Sequence, residues 1–178
     1  MRRDIISEIL FEIVYLGLAF VLQSSLVSHM AIGPARPDLI LGCTVYIALW
    51  RGPVHSTVAG FLTGLFQDLS FGGGLGLNSL CKTITCFLVS HASSHLFKER
   101  YWTQLVVLAG SVLIHDLLYF MFLHPGSISA VGMSLLAISL GSALYTALVC
   151  PGYDYVMRKL FFRKEGVERE TTVVPPQQ

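Results

Sequence analysis

Three charged side chains, Asp68, Lys82 and Asp116, stand inside runs of otherwise apolar residues. A charge at the centre of a bilayer costs about 2.5–3.5 kcal/mol on insertion scales, so such groups pair, reach water or carry ions. Two carboxylates and one ammonium suit either a proton or ion path or a polar cluster that locks a helix bundle, and the structural role asks less of the sequence. Lys82 is expected to pair with an acid on a neighbouring helix. Asp68 is the first choice, because the short Gly72–Gly76 turn brings the two helices together as an antiparallel hairpin. Asp116 falls at a comparable depth on a later helix, and Asn78 or Thr83 can donate to the carboxylate left in excess.

Other candidate chemistry is weaker. His91 and His95 lie one turn apart, but no third ligand accompanies them, so no metal site is expected. His115 and Asp116 are adjacent and about 100° apart around a helix, so they are not expected to form a dyad on one face. No Ser, Thr or Cys stands beside a His and an acid in a nucleophile's arrangement, and no catalytic residue is assigned. Gly72-Gly73-Gly74-Leu75-Gly76 lacks the strand before it and the Lys-Ser or Lys-Thr after it that a phosphate loop needs. Cys43, Cys81, Cys86 and Cys150 sit in or beside apolar runs without ligand spacing and read as small hydrophobes.

The elements that must position these groups follow from periodicity. Gly60, Gly64 and Asp68 recur every fourth residue and share one face of a helix. Glycines at that spacing let another backbone approach, within the chain or in a partner, so this helix is expected to be the centre of the fold.

With 53% hydrophobic residues, 13% charged residues and a mean hydropathy of +0.65, the chain is too apolar for a soluble domain. About six apolar segments are predicted, near 9–28, 39–50, 53–71, 77–97, 105–123 and 131–149. The all-α membrane domain thus occupies residues 1–162, and residues 163–178 form a disordered cytoplasmic tail. The first segment resembles a secretory signal but is long, contains Glu12 and lacks a clear cleavage site, so it is read as a retained helix. Gly33-Pro34-Ala35-Arg36-Pro37 breaks the chain before Asp38, which is placed to cap the second helix. Pro151-Gly152 is expected to kink or interrupt the sixth. The fourth helix is the most polar and is expected to be enclosed by protein.

With six spans and the N-terminus inside, Arg2, Arg3, Arg51, Lys98, Arg100, Arg158, Lys159, Arg163, Lys164 and Arg169 fall on the inner side and Arg36 alone outside. That distribution satisfies the positive-inside rule with both termini cytoplasmic. A net charge of +1 gives no reason to expect nucleic acid.

The succession Arg36-Pro37-Asp38-Leu39-Ile40-Leu41, Trp50-Arg51-Gly52, Gly60-Phe61-x-x-Gly64-Leu65-x-x-Asp68 and Leu75-Gly76-Leu77 resembles the MreD family of rod shape-determining membrane proteins. The resemblance implies a non-enzymatic component of the cell-elongation machinery in the bacterial plasma membrane, without a cofactor. It would work with an MreC-like protein and, directly or through it, with the MreB filament and RodA with its transpeptidase. The family also looks like the six-helix substrate-binding subunits of energy-coupling-factor transporters. A subunit binding a small solute or membrane lipid is therefore the alternative to a scaffold, although a shared fold does not transfer function.

Overall fold

The computed structural model describes residues 2–25, 36–71, 76–95 and 100–170, with the side chains of 2–7, 71, 130 and 161–170 left aside. Most of the glycine turn, the charged turn at 96–99, the polar end of the first segment beyond Ser25 and the last eight residues of the expected tail lie outside these. Among the described residues the structure is helical throughout, with no strand.

The helices are α1 (Arg2–Ser25), α2 (Leu39–Trp50), α3 (Pro53–Phe71), α4 (Leu77–Ser93) and α5 (Tyr101–Leu123), followed by α6 (Ile128–Ser134). A π-helical turn (Leu135–Ser139) joins α6 to α7 (Leu140–Glu170), so the last three pieces form a single sixth rod. Three stretches are long and apolar enough to cross a membrane: Glu8–Ser25, Tyr101–Leu123 and Val131–Leu160. This is a membrane protein. The other helices fall short for different reasons. At 12 residues α2 is roughly 18 Å long against a hydrocarbon core of about 30 Å, and α3 and α4 are diluted by His, Ser, Thr, Asp and Lys.

The centre of the fold is α2, not the glycine-bearing α3. Every residue from Leu39 to Leu49 is buried, and α2 packs against α1, α3, α4, α5 and α7. A helix that is apolar all round has no solvent or lipid face to offer and belongs in an interior. Leu41, Val45 and Leu49 join Val89 of α4, Leu108 and Val112 of α5, and Ala143, Ala147 and Cys150 of α7 in one core. The crossing of α2 with α7 is close because Gly42 lacks a side chain: a Cβ there would stand 2.1 Å from Cys150 Sγ.

By contrast α3 has one face against α4 and α2, and turns Val54, Val58, Phe61, Leu62, Phe66 and Leu69 outward. Its glycines do what their spacing predicts. A Cβ on Gly64 would come within 2.4 Å of Ser79 Cα, and one on Gly60 within 2.9 Å of the Lys82 carbonyl oxygen. The tight contact is therefore made within the chain, to α4.

Only half of α4 is enclosed. Ser79, Lys82, Thr85, Ser90 and Ser93 point inward while Leu80, Phe87 and Leu88 are exposed, the reverse of a soluble amphipathic helix. The hydroxyls of Thr85 and Ser93 donate to carbonyls of their own helix, and Ser79 Oγ donates to the Phe61 carbonyl across the α3 interface. Pro151 does not end the sixth rod. Helix continues through it to Glu170, beyond the expected domain limit at 162. Packing against neighbours lets a membrane helix tolerate the backbone bond that proline removes.

Candidate functional site

The polar groups gather at one end of the bundle, where α2 and α4 begin and α3 ends. Its hub is the extended segment Arg36-Pro37-Asp38. Asp38 Oδ1 accepts the Leu41 N–H at 2.8 Å and so caps α2, while Oδ2 accepts Lys82 Nζ at 2.9 Å. The Asp38 N–H donates to Thr146 Oγ1 of α7 at 3.0 Å, and the Arg36 N–H to Ser142 Oγ at 3.2 Å. From α1, the Gln23 amide donates to the Pro37 carbonyl and accepts from the Leu39 N–H. Thus α1, α4 and α7 all hold the approach to the buried helix.

Lys82 is paired with Asp38 and not with Asp68 as expected. Its side chain is completely buried, and its partner's side chain is 20% exposed. Lysine reaches along its stem toward the end of the bundle at which α4 starts, where the N-terminus of α2 is also placed. Asp68 has other work. Gly76, with φ +89°, precedes α4 and offers no side chain to cap it. Asp68 reaches across from α3 instead: Oδ1 accepts the Asn78 N–H and side-chain amide at 3.2 and 2.9 Å, and Oδ2 accepts the Ser79 N–H at 3.1 Å. A carboxylate only 1% exposed thereby satisfies first-turn donors that the helix itself leaves open, at the end where the helix dipole favours negative charge.

Asp116 takes neither of these partners. His115 Nδ1 lies 3.1 Å from Asp116 Oδ1, so the two neighbours touch despite their angular separation on the helix. Asn78, Asp116, His115 and Asp38 line a common cavity of about 260 Å³, together with Gln23, Arg36, Tyr119, Phe120, Ile138 and Ser142. The four residues expected to form one cluster are therefore split. Asn78 joins Asp68 to the cavity, Asp116 faces it from α5, and Lys82 lies behind Asp38.

Sequence reasoning gave Asp38 only its capping role and passed over Gln23, Ser142 and Thr146. The sequence does carry a signal for Asp38, which stands just before α2 as Lys82 stands near the start of α4, so both belong at the same end of the bundle. No simple spacing announces the hydroxyls of α7.

At the opposite end, Arg51 closes on Glu8 and Glu12 of α1 at 2.8 and 2.7 Å. Its hydrogen bond to Glu8, with the charge of Glu12, raises the guanidinium pKa further. Arg158 lies over the Trp50 ring at 5.6 Å and pairs with Asp154 at 2.8 Å. Asp154 also accepts from the Tyr15 hydroxyl, and Tyr153 donates to the Tyr15 carbonyl. These contacts tie α1, α2 and α7 as the hub does at the other end. Among the described residues no group of His, Cys, Asp and Glu is arranged to hold a metal.

The Arg36-Pro37-Asp38 hub, the Trp50-Arg51 clamp and the Gly60, Gly64, Asp68 contact are the folded counterparts of the quoted motifs. Residues 3–159 match the family described as rod shape-determining protein MreD. The chain belongs to the MreD family. Membership gives it a role in rod-shape determination. The match spans both polar ends and stops within α7, one residue past Arg158 of the Asp154–Arg158 pair. No curated protein and no solved structure matches the chain, so the likeness to transporter substrate-binding subunits rests only on what the family resemblance implies.

Proposed function

We propose that this MreD-family chain is a multi-pass scaffold of the bacterial cell-elongation machinery, in the plasma membrane with both termini cytoplasmic. It organises peptidoglycan synthesis by holding an MreC-like protein and, directly or through it, the MreB filament and RodA with its transpeptidase. The observation that carries this reading is the match to a rod-shape family along nearly the whole helical domain. The disposition of side chains supports it. Asp38, Lys82, Asp68, Ser79 and Arg51 join helices to one another, while Phe61, Phe66, Leu69, Phe87 and Leu88 face outward. Such outward faces can meet membrane lipid or the spans of partner proteins. Depleting the protein in a rod-shaped host is expected to give round cells that continue to make peptidoglycan. Cells that keep their rod shape through several generations of depletion would refute the proposal.

A further inference from the structure

The cavity at the hub end is lined by an acid and a base that, among the described residues, meet no lysine, arginine or carboxylate of opposite charge. Among the described residues the polar contact of Asp116 is with His115, its side chain is 19% exposed, and no Lys or Arg pairs with it. Arg36, at the same cavity, uses its backbone N–H on Ser142, and among the described residues its guanidinium meets no acid. Every other charge nearby is matched: Lys82 by Asp38, and Asp68 by three donors. A carboxylate near a membrane that has a histidine but no lysine or arginine beside it is costly, so its place at an opening points to a partner that comes from outside the chain.

The walls narrow the chemistry. Tyr119 and Phe120 bring aromatic rings to the cavity, and the Tyr119 ring stacks on His115 with centroids 6.2 Å apart. An acid beside aromatic rings favours a cationic group, and a carboxylate oxygen asks for N–H donors. The far wall includes Ile138 from the π-helical turn, a geometry that is rare and concentrated at functional sites. His115 adds a buried Nε2 with no hydrogen-bond partner. At about 260 Å³, and open on one side, the space is of the size of a head group or small metabolite.

We infer that this cavity binds a small zwitterion, with a primary ammonium at Asp116 against the Tyr119 ring and an anionic group at Arg36. An aminophospholipid head group and a free aminoalkyl phosphate share this chemistry. Site occupancy is independent of the scaffold role, since either can fail without the other.

Purified full-length protein in nanodiscs containing equal parts of phosphatidylethanolamine, phosphatidylcholine and phosphatidylglycerol, released into native mass spectrometry, tests the assignment. Phosphatidylethanolamine is expected to be retained over both competitors, because choline lacks N–H donors and glycerol lacks the cation. Asp116→Asn should lower that retention roughly tenfold or more, the scale of one charge-assisted contact. Arg36→Gln, at an exposed position, should lower it as well and serves if the first variant does not fold. Added phosphoethanolamine that displaces the lipid and binds at comparable strength would name the free metabolite as the source; failure to displace would name the lipid. Equal retention of the three lipids with no binding of phosphoethanolamine, or undiminished binding in both folded variants, overturns the proposal.

Discussion

Removing the charge of Asp38 should strand Lys82 at the heart of the hub. Asp38→Asn keeps the shape and a side-chain oxygen able to cap Leu41, so the change isolates the ion pair. Lys82 has no exposed surface through which water could compensate, and breaking a buried pair from one side costs about 3–5 kcal/mol in soluble interiors. Lys82→Met is milder, because the abandoned carboxylate keeps the Leu41 N–H and opens on the cavity; a cost of about 1–3 kcal/mol is expected. The double variant should be more stable than Asp38→Asn alone, with a coupling energy of about 1–3 kcal/mol. Denaturant unfolding in a mild detergent, followed by Trp50 and Trp102 fluorescence, measures all four corners of the cycle. Two harmless single changes that simply add would refute the assignment of the pair. The same cycle on Asp68 and Lys82, which share no hydrogen-bond partner, should give additivity within about 0.5 kcal/mol.

Other outcomes follow from close approaches and from charge placement. Gly64→Leu should abolish accumulation of folded protein because the α4 backbone occupies the space, whereas Gly110→Ala, with nothing within 4 Å, should leave thermal stability unchanged or raised. Gly42→Ala should destabilise the α2–α7 crossing, and Cys150→Gly should restore part of the loss by removing the sulfur that the new methyl meets; melting of the single and double variants checks this. Arg51→Gln should cost no more than about 1 kcal/mol per ion pair lost, since both guanidinium and Glu8 are partly exposed, and high salt should shrink the difference in melting temperature. Cysteine labelling in intact cells should reach a residue introduced in the 72–75 turn and not one in the 171–178 tail; labelling of the tail from outside would invert the proposed topology.

Much of the fold was legible because the chain marks its own limits. Asp38 before Leu39 and Arg51-Gly52-Pro53 after Trp50 bound α2 where the sequence placed it, and the Gly60, Gly64 spacing announced a close helix contact. The rank of the helices was read wrongly, since glycine spacing reports close approach and not centrality. The true signal for α2 was its lack of any polar face. Within the site, Asp68, Asn78, Lys82 and Asp116 were legible as charges and amides in apolar surroundings. Their pairing was not, because it depends on where α2 begins in space relative to α4. Asp68 in particular finds its partners in backbone N–H groups, which every sequence contains and none displays.

The proposal that this chain holds other proteins of the elongation machinery is met most directly by affinity purification of the chromosomally tagged protein in mild detergent, with bound proteins quantified by mass spectrometry. The account predicts recovery of an MreC-like protein in near-stoichiometric amount, with RodA and its transpeptidase enriched beside it. Recovery of an ATPase module of a transporter in that position, with no MreC-like protein, would contradict it.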